Sequence, residues 1–190
     1  MPRVAYATLG IVLALLVTSG KPAQSAHDWP ISKLRIIKTQ WSSWITRFFA
    51  LDDANQLIYI RVVDQKQQQI PVTKFRRTPD LIKHFPMDDG DLVVTIYNPE
   101  KIMHFIAMDF SGTVKYSNEF ALNYNVYDVD ARVNIQAGNP SCLFYAYDKK
   151  NYAIKYWSEQ RTHDIMVSRE PIELMFLQWA DGGVHYVSSS

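Results

Sequence analysis

Apolar and polar positions alternate along most of the chain, which predicts short β-strands. The strand that begins at Leu143 shows the pattern clearly. Phe144 and Ala146 are expected to point to one face of a sheet, and Leu143, Tyr145 and Tyr147 to the other. Both sets of positions are apolar or aromatic. We therefore expect this strand to be covered on both faces.

A hairpin pattern recurs four times. In each copy an apolar strand ends in aspartate, and in the first three copies Gly or Asn stands three residues later. The aspartates are Asp52, Asp109, Asp148 and Asp181, and the partners of the first three are Asn55, Gly112 and Asn151. Aspartate at the first position of a type I turn hydrogen-bonds its own backbone, while Gly or Asn accepts the left-handed conformation that follows. We interpret the four aspartates as turn residues and not as a ring of metal-binding carboxylates.

The spacing of the aspartates predicts the architecture. They stand 57, 39 and 33 residues apart, which indicates a unit of about 40 residues with four short strands. We expect one all-β domain over residues 26–190, built as an antiparallel meander. A propeller-like ring and a two-sheet sandwich or barrel both fit this pattern.

Two segments depart from the regular strand pattern. Thr78, Pro79 and Asp80 form a helix-start signal, so we predict a short helical insert over residues 78–86. Residues 31–49 have apolar positions at helical spacing but β-prone residue types. The repeat favours two strands in 31–49, and a helix is the alternative.

The N-terminal segment is expected to direct export. An apolar run of 16 residues, 4–19, follows a short basic start, and Ala23-Gln24-Ser25 suits signal-peptide cleavage. We predict a signal peptide over residues 1–25 and a periplasmic or secreted protein. An uncleaved membrane anchor is the alternative, although about 20 residues are usual for a span. With no other long apolar run, the remainder is not expected to be an integral membrane protein.

The cysteine content and the distribution of charge give further information about the kind of protein and its partner. The single cysteine, Cys142, cannot form an internal disulfide, and its apolar context indicates a buried, inert thiol.

The charge is unevenly distributed along the chain. Residues 1–77 carry 11 Lys/Arg and 4 Asp/Glu, whereas residues 78–190 carry 9 Lys/Arg and 15 Asp/Glu. The basic residues Lys33, Arg35 and Lys38 are therefore candidates for binding an acidic partner. The alternative is that the two halves of one domain attract each other.

The search for chemical motifs gives no catalytic, metal or cofactor site. The five histidines show no metal-ligand spacing, and nucleophile and phosphate-loop motifs are absent from the sequence. Asp88, Asp89 and Asp91 surround Gly90, and we interpret them as a solvated turn because the run lacks the length and distal Glu of a calcium loop. The near-neutral net charge and the export signal argue against nucleic-acid binding.

Aromatic residues crowd the third unit, and Tyr145, Tyr147 and Trp157 are candidate contact residues. We expect an exported, non-catalytic binding protein, a periplasmic subunit or accessory factor of an envelope assembly with a protein partner. One alternative is a glycan-binding module that uses exposed Tyr and Trp. The other is a hydrolase with carboxylates from separate strands.

Overall fold

A computed structural model describes residues 29–30, 33–39, 47–64, 66–134, 139–148, 150–180 and 183–189. Its regular structure consists of β-strands, and these residues contain no α-helix. The prediction of an all-β, antiparallel fold is confirmed. The predicted signal peptide, residues 1–25, lies outside the described ranges.

The strands form four sheets. In spatial order, the first sheet contains β1 (Arg35–Ile36), β3 (Arg47–Leu51), β4 (Gln56–Val63) and β5 (Lys66–Lys74). The second contains β2 (Lys38–Thr39), β6 (Leu81–Met87), β7 (Gly90–Tyr97), β8 (Ile102–Met108) and β9 (Val114–Ala121). The third contains β10 (Asn125–Asn134), β11 (Asn139–Asp148), β12 (Asn151–Ser158) and β13 (Thr162–Ser168). The fourth contains β14 (Glu173–Ala180) and β15 (Gly183–Ser189).

Neighbouring strands are antiparallel in every described pair except β2 and β6, which are parallel. Within the described residues the sheets do not close into a barrel.

The predicted helical insert at residues 78–86 is wrong. Residues 81–87 form β6 and pair with β7 along its whole length. Asp80 of the helix-start signal makes other contacts instead. Its carboxylate accepts hydrogen bonds from the backbone N–H of Asn98 at 2.8 Å and from the Arg77 guanidinium at 2.9 Å. A local cap preference of about 1 kcal/mol is too small to outweigh a seven-residue ladder with a buried side.

The strand interpretation of residues 31–49 agrees with the described part of that segment. It contains β1, β2 and the start of β3. Residues 40–46 lie outside the description.

Apolar side chains hold the sheets face to face. One core cluster lies between the first and second sheets and includes Phe49, Tyr59 and Val93. A larger one lies between the second and third sheets and includes Phe105 and Phe144. The second sheet is thus covered on both faces, which explains why every residue of β7 is buried.

The outer faces of the first and third sheets are also apolar. On the first sheet, Ala50, Ile58 and Ile60 are buried under Trp29 and Leu34 from the segment before β1 and under Phe48 of β3. On the third, Leu143 and Ile154 are buried with Ile172, which precedes β14. The apolar residues at alternating positions are therefore buried on both sides of these two sheets.

Candidate functional site

The turn between β3 and β4 is organised by Asp52. Its Oδ1 accepts the backbone N–H groups of Ala54 at 2.9 Å and Gln56 at 2.8 Å. Asn55 is left-handed, with φ of 62°. The second carboxylate oxygen accepts the indole N–H of Trp29 at 3.0 Å. Asp52 therefore shapes the turn and also fastens the segment before β1 to the first sheet.

Asp109 organises the turn between β8 and β9 in the same way. Its Oδ1 accepts the backbone N–H groups of Ser111 at 2.9 Å and Thr113 at 3.1 Å. Gly112 has φ of 87°, and a Cβ added there would lie 2.9 Å from Cδ1 of Tyr59. Glycine is required here both by the left-handed backbone and by the close approach to the first sheet.

The other two aspartates lie at connections of another length. Asp148 pairs with Asn151 in the ladder between β11 and β12, so two residues form the connection. Ala180 and Gly183 are paired in the same way between β14 and β15. Asp181 lies outside the described residues. Among the residues whose side chains the structure describes, this turn geometry is found at Asp52 and Asp109.

Two of the three candidate basic residues lie on the surface. Lys33 and Arg35 are exposed, and Arg35 belongs to β1 at the edge of the first sheet. Ile36 beside them is 43% exposed. Within the described residues, Lys33 and Arg35 form no ion pair. The side chain of Lys38 is outside the description.

Other basic residues of the first 77 positions are neutralised within the molecule. The pairs are Arg47–Asp91 at 2.8 Å, Arg76–Glu119 at 3.6 Å and Arg77–Glu100 at 2.6 Å. In each pair the acid lies after residue 77. Intramolecular attraction therefore accounts for part of the charge imbalance, whereas Lys33, Arg35, Lys66 and Lys74 are exposed and form no described ion pair.

Trp157 lies in the interior. It is 7% exposed in the cluster between the second and third sheets. Its ring stacks on Phe105 with centroids 5.8 Å apart and meets Phe120 edge-on at 4.9 Å. It presents little surface to a ligand. Tyr145 and Tyr147 lie on the opposite face of the third sheet and are half-buried.

The structure brings together a buried polar cluster that the sequence analysis did not predict, formed by His84, Asp91, Arg47 and Tyr59. His84 and Asp91 are 0% exposed. The Asp91 carboxylate contacts His84 Nε2 at 2.7 Å, and its other oxygen accepts Arg47 Nε at 2.8 Å and the Tyr59 hydroxyl at 3.2 Å. His84 and Asp91 belong to the second sheet, whereas Arg47 and Tyr59 belong to the first. The cluster therefore joins the two sheets across their apolar interface.

Burial and charge shift the pKa values in this buried polar cluster. Desolvation lowers the pKa of His84 and outweighs the opposing effect of Asp91. Desolvation raises the pKa of Asp91, but His84 and Arg47 outweigh it, so the net pKa is lowered. Burial, reinforced by Asp91, raises the pKa of Tyr59 well above its usual value. Burial therefore disfavours the protonated form of His84, whereas the neighbours of Asp91 favour its carboxylate form.

The sequence did contain a signal for the His84–Asp91 pair. Both residues lie in the hairpin of β6 and β7, where His84 is opposite Val93 and Pro86 is opposite Asp91. Diagonal neighbours on one face of an antiparallel pair are within side-chain reach. Because the prediction for 78–86 is a helix, it provides no strand to pair with the one that begins at Asp91, and the sequence analysis places Asp91 in a solvated turn. The structure buries Asp91 instead.

A second polar group lies across β8 and β9. His104 Nε2 is 2.9 Å from the Ser117 hydroxyl, while its Nδ1 is 4.0 Å from Glu119. Desolvation lowers the pKa of His104. Glu119 is half-exposed and also pairs with Arg76. The His104–Glu119 distance exceeds that of a hydrogen bond. The contact between His104 and Ser117 is a hydrogen bond, and we infer that it helps to hold the edge strand β9 against β8.

Among the described residues, no helix is long and apolar enough to cross a membrane. The same residues contain no group of three or more His, Cys, Asp or Glu side chains arranged to hold a metal ion. Cys142 is a free, fully buried thiol, and burial raises its pKa well above the usual value.

Comparison of the chain with protein-family models, curated protein sequences and solved structures finds no match.

Proposed function

We propose that the chain is an exported binding protein that serves as a periplasmic subunit or accessory factor of an envelope assembly. Its contact surface is the exposed part of the first sheet's edge, formed by Lys33, Arg35 and Ile36, which we call the β1 surface. The observation that carries the proposal is that exposed basic side chains with no described ion pair adjoin the exposed Ile36 of an edge strand. Arg47, which follows β1, is paired with a buried acid, whereas Lys33 and Arg35 stay exposed and form no described ion pair.

The β1 surface has properties suited to a protein partner. Ile36, 43% accessible, follows Arg35 along the exposed edge strand. An apolar contact next to positive charge provides affinity from burial and specificity from electrostatic complementarity. The partner is expected to present an acidic surface with an apolar centre.

We further propose a blade-like arrangement of the four sheets. The strands that begin the hairpins of the second, third and fourth sheets lie near one another, since β6 is near β10 and β10 is near β14. Antiparallel sheets whose first strands converge are typical of propeller architecture. An experimental structure in which β6, β10 and β14 do not converge would contradict this arrangement.

The interaction is tested by site-specific photo-cross-linking. The full chain is produced in a bacterial host with a photoreactive residue in place of Ile36, and envelope fractions are irradiated. We expect one abundant cross-linked protein, which is lost in the variant Lys33→Glu/Arg35→Glu.

The matched control reverses charge on the opposite edge of the same sheet. Lys66 and Lys74 are exposed at the two ends of β5, so Lys66→Glu/Lys74→Glu changes the net charge similarly without touching β1. The cross-link should survive in this variant. Equal loss in both variants, or recovery of the chain in the cytoplasmic fraction alone, would rule the proposal out.

A further inference from the structure

Four tyrosines form a compact group on the outer face of the third sheet. We call Tyr127, Tyr145, Tyr147 and Tyr152 the tyrosine cluster. Tyr147 and Tyr152 are directly opposite each other on β11 and β12, and Tyr145 lies two positions from Tyr147 on the same face. Tyr127 stands at the irregularity of β10 between Val126 and Asp128. A bulge re-aims the side chain of the extra residue, and here it brings Tyr127 to the cluster.

The rings are in mutual contact. Tyr152 is central, with centroids 4.9 Å from Tyr147, 6.1 Å from Tyr145 and 6.4 Å from Tyr127. Tyr145 and Tyr152 are stacked, with 24° between their planes. Tyr127 and Tyr145 are 5.7 Å apart. These contacts restrict the side chains to one arrangement before any ligand binds, which lowers the entropic cost of binding.

One tyrosine anchors the cluster and the others remain available. The Tyr145 hydroxyl accepts the backbone N–H of Ile172 at 2.9 Å. Within the described residues, the hydroxyls of Tyr127, Tyr147 and Tyr152 form no hydrogen bond with the protein, and Tyr127 is 49% exposed. The cluster thus combines aromatic faces with unpaired phenol groups.

Within the described residues, no cation lies over the faces of these rings, which leaves the faces open to an uncharged ligand. No described Lys or Arg side chain lies over these rings, in contrast to exposed Phe110, which has the Arg47 guanidinium 4.3 Å from its ring centre. Asp128, next to Tyr127, is engaged by Lys83. Lys150, in the turn that joins Tyr147 to Tyr152, is exposed, but it does not lie over any of these rings.

We propose that the tyrosine cluster binds a neutral oligosaccharide. The C–H faces of sugar rings stack on aromatic faces, and sugar hydroxyls pair with unpaired phenol groups. The buried Trp157 has no part in this site. The inference is independent of the β1 surface, which belongs to another sheet.

The test is calorimetric titration of the full chain with three neutral hexasaccharides: cellohexaose, chitohexaose and maltohexaose. We expect at least one to bind, and Tyr127→Ala to weaken that binding by about tenfold or more. Tyr127→Phe should retain most of the affinity, because it keeps the ring and removes only the hydroxyl.

Phe110→Ala is the matched control, since it removes an exposed aromatic ring of similar accessibility, 43%, outside the cluster. It should leave saccharide binding unchanged, and thermal melting of each variant verifies folding. Failure of all three saccharides to bind would overturn the proposal. So would unchanged affinity in folded Tyr127→Ala, or equal loss in folded Phe110→Ala.

Discussion

At the scale of single residues, Asp91 is the most demanding position in the described chain. Its carboxylate is fully buried, yet His84, Arg47 and Tyr59 supply three polar contacts to its two oxygens. Burial of a charge is tolerated only when pairing and hydrogen bonds compensate for the lost water. Asp91 therefore depends on both sheets being in place.

Asp91→Asn should lower the free energy of unfolding by about 2–3 kcal/mol, because it leaves the partly buried Arg47 without its counter-charge. Urea denaturation followed by fluorescence measures the change. Asp80→Asn is the control, since its carboxylate pairs with Arg77 at a half-exposed position and should cost less than about 1 kcal/mol. Equal costs for both variants would contradict a special role of Asp91.

Gly112→Ala should destabilise the protein by about 2 kcal/mol or more. A left-handed backbone costs a residue with Cβ about 1–2 kcal/mol, and the new Cβ would lie 2.9 Å from Cδ1 of Tyr59. Asn55→Gly, at the equivalent position of the Asp52 turn, should stay within about 1 kcal/mol of the parent. Melting temperatures of the two variants provide the comparison.

Stability should fall as the pH is lowered below about 6.5, the usual histidine value. Burial lowers the pKa of His84 in the folded state, so the unfolded state binds the proton first. This contribution is complete above the unfolded pKa and is lost as the pH decreases through that region. The lowered pKa of His84 already includes the effects of its charged neighbours. Asp91 raises this pKa and Arg47 lowers it, but burial has the largest effect.

Each such histidine contributes a slope of at most about 1.4 kcal/mol per pH unit. His104 acts in the same direction, because burial also lowers its pKa. Unfolding curves between pH 5 and 8 for the parent, His84→Gln and His104→Gln separate the two. A parent stability that increases as the pH falls would refute this account.

At the scale of elements, β12 shows how one strand serves two environments. Trp157 packs into the core between the second and third sheets, whereas Tyr152 points to the opposite face. Both are aromatic residues in an alternating strand, and the sequence alone does not say which face is covered more deeply. The neighbouring sheets decide that.

Trp157→Ala should therefore destabilise the protein by about 3–5 kcal/mol, as expected for removal of a large buried ring. Tyr127→Ala, at a 49% exposed position, should cost less than about 1 kcal/mol. Chemical denaturation of the two variants under identical conditions compares them. A larger cost for Tyr127→Ala would mean that the assignment of core and surface is reversed.

At the scale of the whole molecule, the second sheet occupies the centre of the packing. The first and third sheets cover its two faces, and the buried polar cluster ties it to the first. Its edge strand β9, by contrast, is mainly exposed. Local stability is expected to follow this order.

Hydrogen exchange should show the slowest amides in β7, because every residue there is buried between two paired neighbours. Amides of the edge strands β9 and β13 should exchange faster by orders of magnitude. Exchange measured by mass spectrometry after proteolysis resolves these segments. Comparable protection in β7 and β13 would indicate that the sheets do not stack as described.

The sequence alone predicted the features that depend on neighbouring residues. Alternation predicted the strands, and the Asp52 and Asp109 patterns predicted turns in which a carboxylate caps the backbone and a left-handed residue follows. These signals are local because turn and strand preferences act over a few residues. The prediction of a helical insert was wrong for the same reason. A cap signal at Thr78 contains no information about the pairing of β6 with β7.

Only the tertiary structure determined which side chains and which sheets pack against one another. It buried Trp157, left Tyr127 exposed, and brought Arg47 and Tyr59 of one sheet to His84 and Asp91 of another. Sequence alternation assigns a side chain to one of two faces but does not name the sheet that covers that face. Contacts between sheets depend on how separate hairpins stack, and that is set by the summed burial of the whole core rather than by any single segment.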